Sequence, residues 1–86
     1  MEPRITPEDI ENEIVREDYY QFPGTTLTVC ALVLKNGMAV TGESACCSPA
    51  NFDAEYGKQI AKENAKEKIW AFLGFRLRDQ LMAAKA

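Results

Sequence analysis

The chain has 86 residues, 47% of them hydrophobic, and its 10 basic and 13 acidic side chains give a formal net charge of −3 at pH 7. A chain of this length forms one domain, residues 1–86, and buries only about 60% of the surface that it exposes when unfolded. The negative charge disfavours nucleic-acid binding, which depends on clustered Lys and Arg. The absence of His removes the most common general base and a usual zinc ligand.

The N-terminus and the cysteine content predict a cytoplasmic protein. Residues 1–9 are polar and acidic, unlike a secretory signal. The longest apolar run, residues 29–34, is far shorter than the about 20 residues that span a bilayer. An odd number of cysteines favours a reducing compartment. We expect no membrane, cofactor or metal site, and we expect small buried thiols at Cys30, Cys46 and Cys47.

The first predicted element is a short helix from Ile5 to Asp18. Thr6 is a suitable N-cap and Pro7 fits the first helical position. Ile5 and Ile10 stand where a hydrophobic staple places its two apolar residues. The sequence therefore predicts a helix with a well-defined start that buries one narrow apolar stripe.

The second predicted element is a β-hairpin formed by Thr25–Leu34 and Met38–Ala45. Asn36-Gly37 between two β-prone runs favours a two-residue type I′ turn, in which both central residues have positive φ. In that register the facing pairs are Lys35 with Met38, Val33 with Val40, Leu32 with Thr41 and Ala31 with Gly42.

Both faces of the predicted hairpin are mostly apolar. One face carries Leu27, Val29, Val33 and Val40, and the other carries Cys30, Leu32, Leu34 and Ala39. A two-stranded hairpin is marginally stable alone, and either face would be a large patch in water. Because the chain's own helices can cover only one face, we expect a homo-oligomer in which a second subunit covers the other, or in which hairpins pair edge to edge.

Two helices are predicted after the hairpin. Ser48 and Asp53 are candidate caps for a long helix that runs to about Leu73, where Gly74 acts as a C-terminal stop. The second helix covers Phe75 to about Ala84. The predicted fold class is therefore α+β, with a short N-terminal helix, a hairpin, a long helix and a short C-terminal helix.

The long helix carries a row of small residues. Gly57, Ala61 and Ala65 recur at a spacing of four, which places them close together on one side of a helix. Small side chains allow the backbone to approach its neighbour, so this row predicts close packing against a sheet or a partner helix.

No set of side chains matches a catalytic site. Ser44 and Ser48 have no obvious base, and the acidic residues fall on helix faces expected to be solvated. The glycines do not form a phosphate-binding pattern. We therefore expect a non-enzymatic protein and consider ligand binding instead.

The candidate ligand-binding residues are Asn51, Phe52, Asn64, Arg76, Arg78 and Asp79. The Phe52 ring can stack on a planar ligand or fill the core. The Asn64 amide can bind a base edge or cap a neighbouring backbone segment. The two arginines can bind an anion bidentately or form ordinary surface pairs. Brought together at a subunit interface, these groups predict a site for a small anionic nucleotide.

Four stretches closely resemble the small phage and prophage proteins of the "Gp forty-nine" family. They are Phe22-Pro-Gly-Thr-Thr-Leu-Thr-Val-Cys, Leu34-Lys-Asn-Gly-Met-Ala-Val-Thr-Gly-Glu-Ser-Ala-Cys, Pro49-Ala-Asn-Phe-Asp and Ala65-Lys-Glu-Lys-Ile-Trp-Ala-Phe-Leu-Gly-Phe-Arg-Leu. The most specific parts are Gly-Glu-Ser-Ala-Cys with its Pro-Ala-Asn-Phe-Asp loop, and Lys-Ile-Trp with the later Gly-Phe. The chain departs from the family pattern at Cys47-Ser48 and at residues 71–73.

The resemblance implies a phage accessory protein in the cytoplasm of an infected bacterium. The order of strands followed by helices is also similar to the small phage sponges that sequester nucleotide-type immune signals, notably the first Thoeris anti-defence family. We therefore expect binding of a cyclic nucleotide or an ADP-ribose derivative at subunit interfaces. The alternatives are a protein–protein inhibitor of a host enzyme and a structural component of the phage.

Overall fold

The computed structural model describes residues 4–48, 50 and 52–85 and has an α+β fold. Its elements are α1 (Pro7–Glu13), β1 (Ile14–Gln21), β2 (Thr28–Leu34), β3 (Ala39–Ser44) and α2 (Ala54–Lys85). The strands form an antiparallel sheet in the order β1-β2-β3, and α2 packs across one face of it. The α+β class is confirmed, and three predicted elements need correction.

The start of α1 agrees with the sequence-based prediction. The Thr6 hydroxyl accepts a hydrogen bond from the Asp9 backbone N–H at 3.2 Å, and the Asp9 carboxylate accepts one from the Thr6 N–H at 2.9 Å. Pro7 is the first helical residue. Ile10 is fully buried and Ile5 packs against the same core. These contacts satisfy the free N–H groups of the first turn.

The predicted helix from Ile5 to Asp18 is wrong in its second half. The helix ends at Glu13, and the next eight residues, which include Val15, Tyr19 and Tyr20, form the edge strand β1. β-Branched and aromatic residues favour a strand over a helix, and pairing with β2 satisfies their backbone groups. β1 supplies the third strand that the predicted hairpin lacked.

The hairpin between β2 and β3 exists, but its register differs by one residue from the prediction. Only Gly37 of the Asn36-Gly37 pair has a positive φ, at 89°, so the turn is not type I′. The Leu34 N–H donates to the Met38 carbonyl at 2.8 Å, which closes a three-residue loop of the kind that ends in a left-handed glycine. The facing pairs are Val33 with Ala39, Leu32 with Val40, Ala31 with Thr41 and Cys30 with Gly42.

The one-residue shift changes which residues share a face. Val40 lies on the buried face with Leu32 rather than on the opposite face with Val33, because successive side chains of a strand alternate. The outer face is not uniformly apolar. Beside the half-buried residues of β2 it carries the Arg16–Asp18 ion pair, at 2.7 Å, and the exposed Thr41.

The two predicted C-terminal helices are one continuous helix. α2 has 32 residues, which corresponds to a length of about 48 Å, and it passes through Gly74 without interruption. A glycine stops a helix when it adopts a left-handed conformation. Among the described glycines only Gly24 and Gly37 have a positive φ, so Gly74 continues the helical path.

The small-residue row packs against the sheet, as predicted. The core combines residues from α1, β2, β3 and α2, namely Ile10, Cys30, Leu32, Leu34, Val40, Ala61, Ala65, Ile69 and Leu73. A Cβ atom on Gly42 would collide with the Ala61 carbonyl and the Ala65 N–H. The backbones of β3 and α2 therefore meet without an intervening side chain. The prediction of a buried thiol is confirmed for Cys30, whereas Cys46 is only half-buried and Cys47 is exposed.

Candidate functional site

A cavity of about 280 Å³ opens where the end of β3 meets the start of α2. Aromatic and aliphatic groups form much of its wall, and the lining residues are Thr26, Ser44, Ala45, Cys46, Phe52, Asp53, Tyr56, Gly57 and Ile60. Small-molecule sites are typically concave and mostly apolar, with volumes of about 300–1,000 Å³. At about 280 Å³ this cavity is slightly smaller than that range, and it is large enough for a group the size of a nucleobase.

Hydrogen bonds within the chain hold the wall of this cavity in place. The Thr26 hydroxyl donates to the Cys46 carbonyl and the Ser44 hydroxyl donates to the Gly57 carbonyl, each at 2.7 Å. The Asp53 carboxylate accepts from the backbone N–H groups of Glu55, at 3.0 Å, and Tyr56, at 3.2 Å. Asp53 therefore caps α2, as predicted, and the first turn of the helix carries Tyr56 to the cavity.

Among the predicted site residues that the structure describes, Phe52 alone lines this cavity. It is half-buried and also borders a second depression formed by Gly24, Thr25 and Thr26. Phe52 is not part of the buried core, and its ring borders an open volume, so stacking on a planar ligand stays a prediction. The other residue predicted for this loop, Asn51, lies outside the described residues.

Asn64 has a backbone partner in the structure. Its side-chain amide donates to the Glu43 carbonyl of the edge strand β3 at 2.8 Å. This is the capping of a neighbouring backbone segment that the sequence left open as an alternative to ligand binding. The amide oxygen faces away from that bond and the residue is exposed.

Arg76 lies at the far end of the sheet and is paired with Glu13. Its guanidinium nitrogens lie 3.3 Å from the two Glu13 carboxylate oxygens in a bidentate arrangement. The Glu13 side chain is only 11% exposed and that of Arg76 is 45% exposed. The pair borders a cavity of about 340 Å³ that Lys35 and Asp9 also line. An anion at this place would compete with Glu13 for the guanidinium.

The predicted site residues that lie in the described part of the chain do not all meet at one place. Twelve residues of α2 separate Asn64 from Arg76, which corresponds to about 18 Å along the helix. Phe52 precedes α2, so about 33 Å of helix lies between it and Arg76. Arg78 and Asp79 are exposed, and neither forms an ion pair with another described side chain.

Sequence reasoning missed Tyr56 and the lysines of α2. Tyr56 is three residues after the Asp53 cap, and that spacing places it in the first turn beside Phe52. Lys62 lies 3.0 Å from Glu17 of β1 and Lys66 lies 2.6 Å from Glu11 of α1. The lysines therefore tie α2 to the N-terminal elements. The positions of α1 and β1 against α2, which the sequence did not reveal, identify these partners.

These contacts change the acidity of the groups involved. The hydrogen bond from Lys66 lowers the pKa of Glu11, and the one from Lys62 lowers the pKa of Glu17. Burial raises the pKa of the Tyr19 hydroxyl, which donates to Glu17 at 3.0 Å, and burial also raises the pKa of the Cys30 thiol. Tyr19 and Cys30 are therefore neutral at pH 7, and the Cys30 thiol is a poor nucleophile.

Neither a metal centre nor a membrane span is found in the part of the chain that the structure describes. No group of three or more Cys, Asp or Glu side chains is arranged to hold a metal ion there. α2 is long enough to cross a bilayer, but it is too polar to do so, and no other described helix combines the required length and apolarity.

Fold and cavity together define a small α+β protein in which a long helix crosses a three-stranded sheet beside an aromatic-lined pocket. A family model described as "Phage protein (N4 Gp49/phage Sf6 gene 66) family" matches residues 5–81. The chain belongs to this family, which confirms the resemblance to phage "Gp forty-nine" proteins. No curated protein and no solved structure gives a significant match to the chain.

Proposed function

We propose that this member of the phage family is a non-enzymatic accessory protein that binds and sequesters a small nucleotide-type signal in the cytoplasm of the infected host. The observation that carries the proposal is the cavity beside Phe52 and Tyr56, at the start of α2. A cyclic nucleotide or an ADP-ribose derivative would place its base there, and the protein would act as a homo-oligomer.

The aromatic side chains of the cavity support the recognition of a base. Every nucleobase has a flat face that can stack on an aromatic ring. Tyr56 is 61% exposed and Phe52 is half-buried, so both rings offer surface to a ligand. The apolar wall excludes water, which strengthens hydrogen bonds between the base edge and nearby polar groups.

The charge distribution supports a site shared between subunits. None of the described residues that line the cavity is Lys or Arg, so these residues offer no cation to a phosphate group. Arg78 is exposed and forms no ion pair with a described side chain. In a homo-oligomer, Arg78 of one subunit is available to neutralise a phosphate held at the cavity of another.

Calorimetric titration with cyclic mononucleotides, cyclic dinucleotides, ADP-ribose and cyclic ADP-ribose tests the proposal. We expect one ligand class to bind, and we expect Phe52→Ala to weaken it about 5- to 150-fold, the range for loss of one base–aromatic stack. Tyr20→Ala, which removes an aromatic ring from the outer face of the sheet, is the matched control and should leave binding unchanged. Failure of every nucleotide to bind at millimolar concentration contradicts the proposal.

A second candidate function is the inhibition of a host enzyme by direct contact. It is favoured by the exposed aromatic side chains Phe72 and Phe75 of α2, which are 41% and 72% exposed. Pull-down from host lysate distinguishes the two candidates. A stoichiometric host enzyme that is lost with Phe75→Ala supports inhibition, whereas a nucleotide that co-purifies with the protein supports sequestration. Recovery of the protein in purified virions would instead support a structural role in the phage.

A further inference from the structure

We propose that the exposed side of α2 is a homodimer interface at which two copies of this helix pack antiparallel. The interface is formed by five residues, here called the aromatic stripe, which are Lys68, Phe72, Phe75, Asp79 and Met82. The inference rests on the proposed function, which includes a homo-oligomer, and it adds the surface at which two subunits meet. The occupant of the stripe is a second copy of this chain.

The stripe is exposed because the buried side of α2 turns away from it. The buried residues follow a row of spacing four that includes Ala61, Ala65, Ile69 and Leu73. Four residues advance the helix by about 400°, so each step rotates the buried side by about 40°. By Leu73 the sheet lies on a different side of the helix, and Phe75 and Met82 are left 72% and 58% exposed.

The spacing of the stripe fits helix pairing. Its residues are separated by four, three, four and three positions, which is the pattern that keeps a seam of side chains facing a partner helix. A second helix covers such a seam, whereas the sheet of the same chain covers only the row of spacing four. The aromatic stripe therefore has the periodicity of an interface between helices.

The stripe is complementary to itself in the antiparallel direction. The position midway between Phe72 and Phe75 is also midway between Lys68 and Asp79. About a two-fold axis at that point, Phe72 of one protomer faces Phe75 of the other, and Lys68 faces Asp79 of the other. A two-fold axis repeats every contact, so the dimer contains two Phe–Phe contacts and two Lys–Asp pairs.

Charge distinguishes a second copy from other occupants. Lys68 and Asp79 form no ion pair with another described side chain, and both are exposed. A lipid surface would pair with Lys68 but would repel Asp79 in the middle of the stripe. Only a partner with an acidic and a basic side chain at the same spacing pairs with both Lys68 and Asp79. A second copy in antiparallel orientation provides these two side chains.

The α2 pair leaves the proposed ligand cavity outside the interface. The axis lies about 29 Å along α2 from its first residue, Ala54, so the two cavities lie toward opposite ends of the paired helices. A nucleotide shared between subunits therefore uses a second contact, between dimers. Dimer formation and ligand binding can accordingly be tested with different variants.

Sedimentation velocity across a range of protein concentrations tests the interface. We expect a dimer, and we expect Phe75→Glu to raise its dissociation constant at least about tenfold, as for the loss of a central aromatic contact. Val15→Glu, a substitution at an exposed apolar residue on the bulge of β1, is the control and should leave the dimer intact. Circular dichroism shows whether each variant is folded. A monomeric wild-type protein, or a folded Phe75→Glu variant that dimerises as well as wild type, overturns the proposal.

Charge reversal tests the antiparallel register. Lys68→Glu places two Glu–Asp repulsions in the dimer and Asp79→Lys places two Lys–Lys repulsions, so each single variant should weaken association about 2- to 25-fold. The double variant Lys68→Glu/Asp79→Lys restores opposite charges and should recover wild-type affinity. Lack of recovery in a folded double variant overturns the assigned register.

The outcomes separate this inference from the proposed function. A wild-type dimer that Phe75→Glu dissociates, but that binds no nucleotide, upholds the interface and contradicts the proposed function. A wild-type monomer that binds a nucleotide contradicts the interface alone. Sedimentation of the wild-type monomer with anionic vesicles, lost on Phe75→Glu, would assign the stripe to a lipid surface and overturn the proposal.

Discussion

At the residue scale, two glycines, one in a strand and one in a helix, differ in the space available for a side chain. Gly42 lies where β3 crosses α2, and a Cβ atom there would collide with the backbone of Ala61 and Ala65. Gly74 lies inside α2 with no atom within 4 Å of where its Cβ would be. The same chemical change, the addition of one methyl group, should therefore have opposite effects at these two positions.

Gly42→Ala should destabilise the protein by about 1–3 kcal/mol or more, because backbone atoms on α2 must move to admit the methyl group. Gly74→Ala should stabilise it by up to about 1 kcal/mol, because glycine is the poorer helix former. Urea unfolding of both variants measures the two changes. An equal effect of the two substitutions would contradict the close contact between β3 and α2.

At the element scale, the start of α2 depends on one carboxylate. The Asp53 side chain accepts two backbone hydrogen bonds from the first turn. Asp53→Ala should cost about 1 kcal/mol of unfolding free energy, whereas Asp53→Asn should keep most of it because Asn is an equally good N-cap. Denaturant titration of the two variants compares their unfolding free energies. If Asn and Ala are equally destabilising, the capping role is wrong.

A second element-scale contact holds α1 and β1 against α2 and makes stability depend on pH. The pKa values of Glu11 and Glu17 are lowered by their lysine partners from an ordinary value of 4.5. A carboxylate with a lowered folded-state pKa stabilises the fold above its unfolded pKa and loses this contribution as the pH falls through the folded value. The pKa of Lys66 is raised from 10.5, mainly by its hydrogen bond to Glu11. While Glu11 is ionised, this contribution is therefore present below 10.5 and is lost as the pH rises through the folded-state pKa of Lys66.

Glu11→Gln should therefore lower the unfolding free energy by about 0.3–1 kcal/mol at neutral pH, since the pair is partly exposed. The difference from wild type should shrink as the pH falls through the pKa of Glu11, which its lysine partners hold below the ordinary 4.5, because Glu11 of the wild type is then itself protonated. Urea unfolding as a function of pH measures the loss of unfolding free energy at neutral pH and its decrease at acid pH. Glu67→Gln is the control, because it removes the same charge elsewhere, on α2. If it lowers the unfolding free energy as much as Glu11→Gln does, the loss reflects the net charge and not the Glu11–Lys66 pair.

At the scale of the whole molecule, the fold consists of a packed body and a projecting helix. The radius of gyration is 15.9 Å and the longest dimension is 56 Å, whereas a compact chain of this length has a radius of about 12 Å. The last buried residue of α2 is Leu73 and the last side chain of α2 bonded to the body is that of Arg76. The end of α2 therefore contributes little to the stability of the single chain.

A chain that ends at Gln80 should keep its monomer stability within about 0.5 kcal/mol, because residues 81–84, the part of the removed segment whose burial is described, are exposed. A chain that ends at Leu73 also loses the Arg76 partner of the buried Glu13 carboxylate, and it should be destabilised by about 1–3 kcal/mol. Unfolding at a low protein concentration measures both truncations. A large loss on ending the chain at Gln80 would show that the end of α2 packs on the body.

Local signals were sufficient for the features that depend on neighbouring residues. The capping box of Thr6, the Asp53 cap, the hairpin of β2 and β3, and the close-packing row from Gly57 to Ala65 all follow from patterns a few residues long. The family likewise follows from short, specific stretches of sequence. The two caps are stabilised by contacts within one turn, and the hairpin and the small-residue row are marked by local patterns, so the sequence by itself determined the presence of these features.

The remaining features were decided by contacts between residues far apart in the chain. Ile14–Gln21 became a strand because β2 offers an edge, and the hairpin loop gained a residue because that register places Val40 over the core. Gly74 stayed helical because nothing in its surroundings required a left-handed conformation. Phe52 and Arg76 are far apart because one uninterrupted helix, rather than two, begins at Ala54 and continues past Arg76. Only the tertiary structure decided these points, since pairing and burial energies depend on which distant residues are brought together.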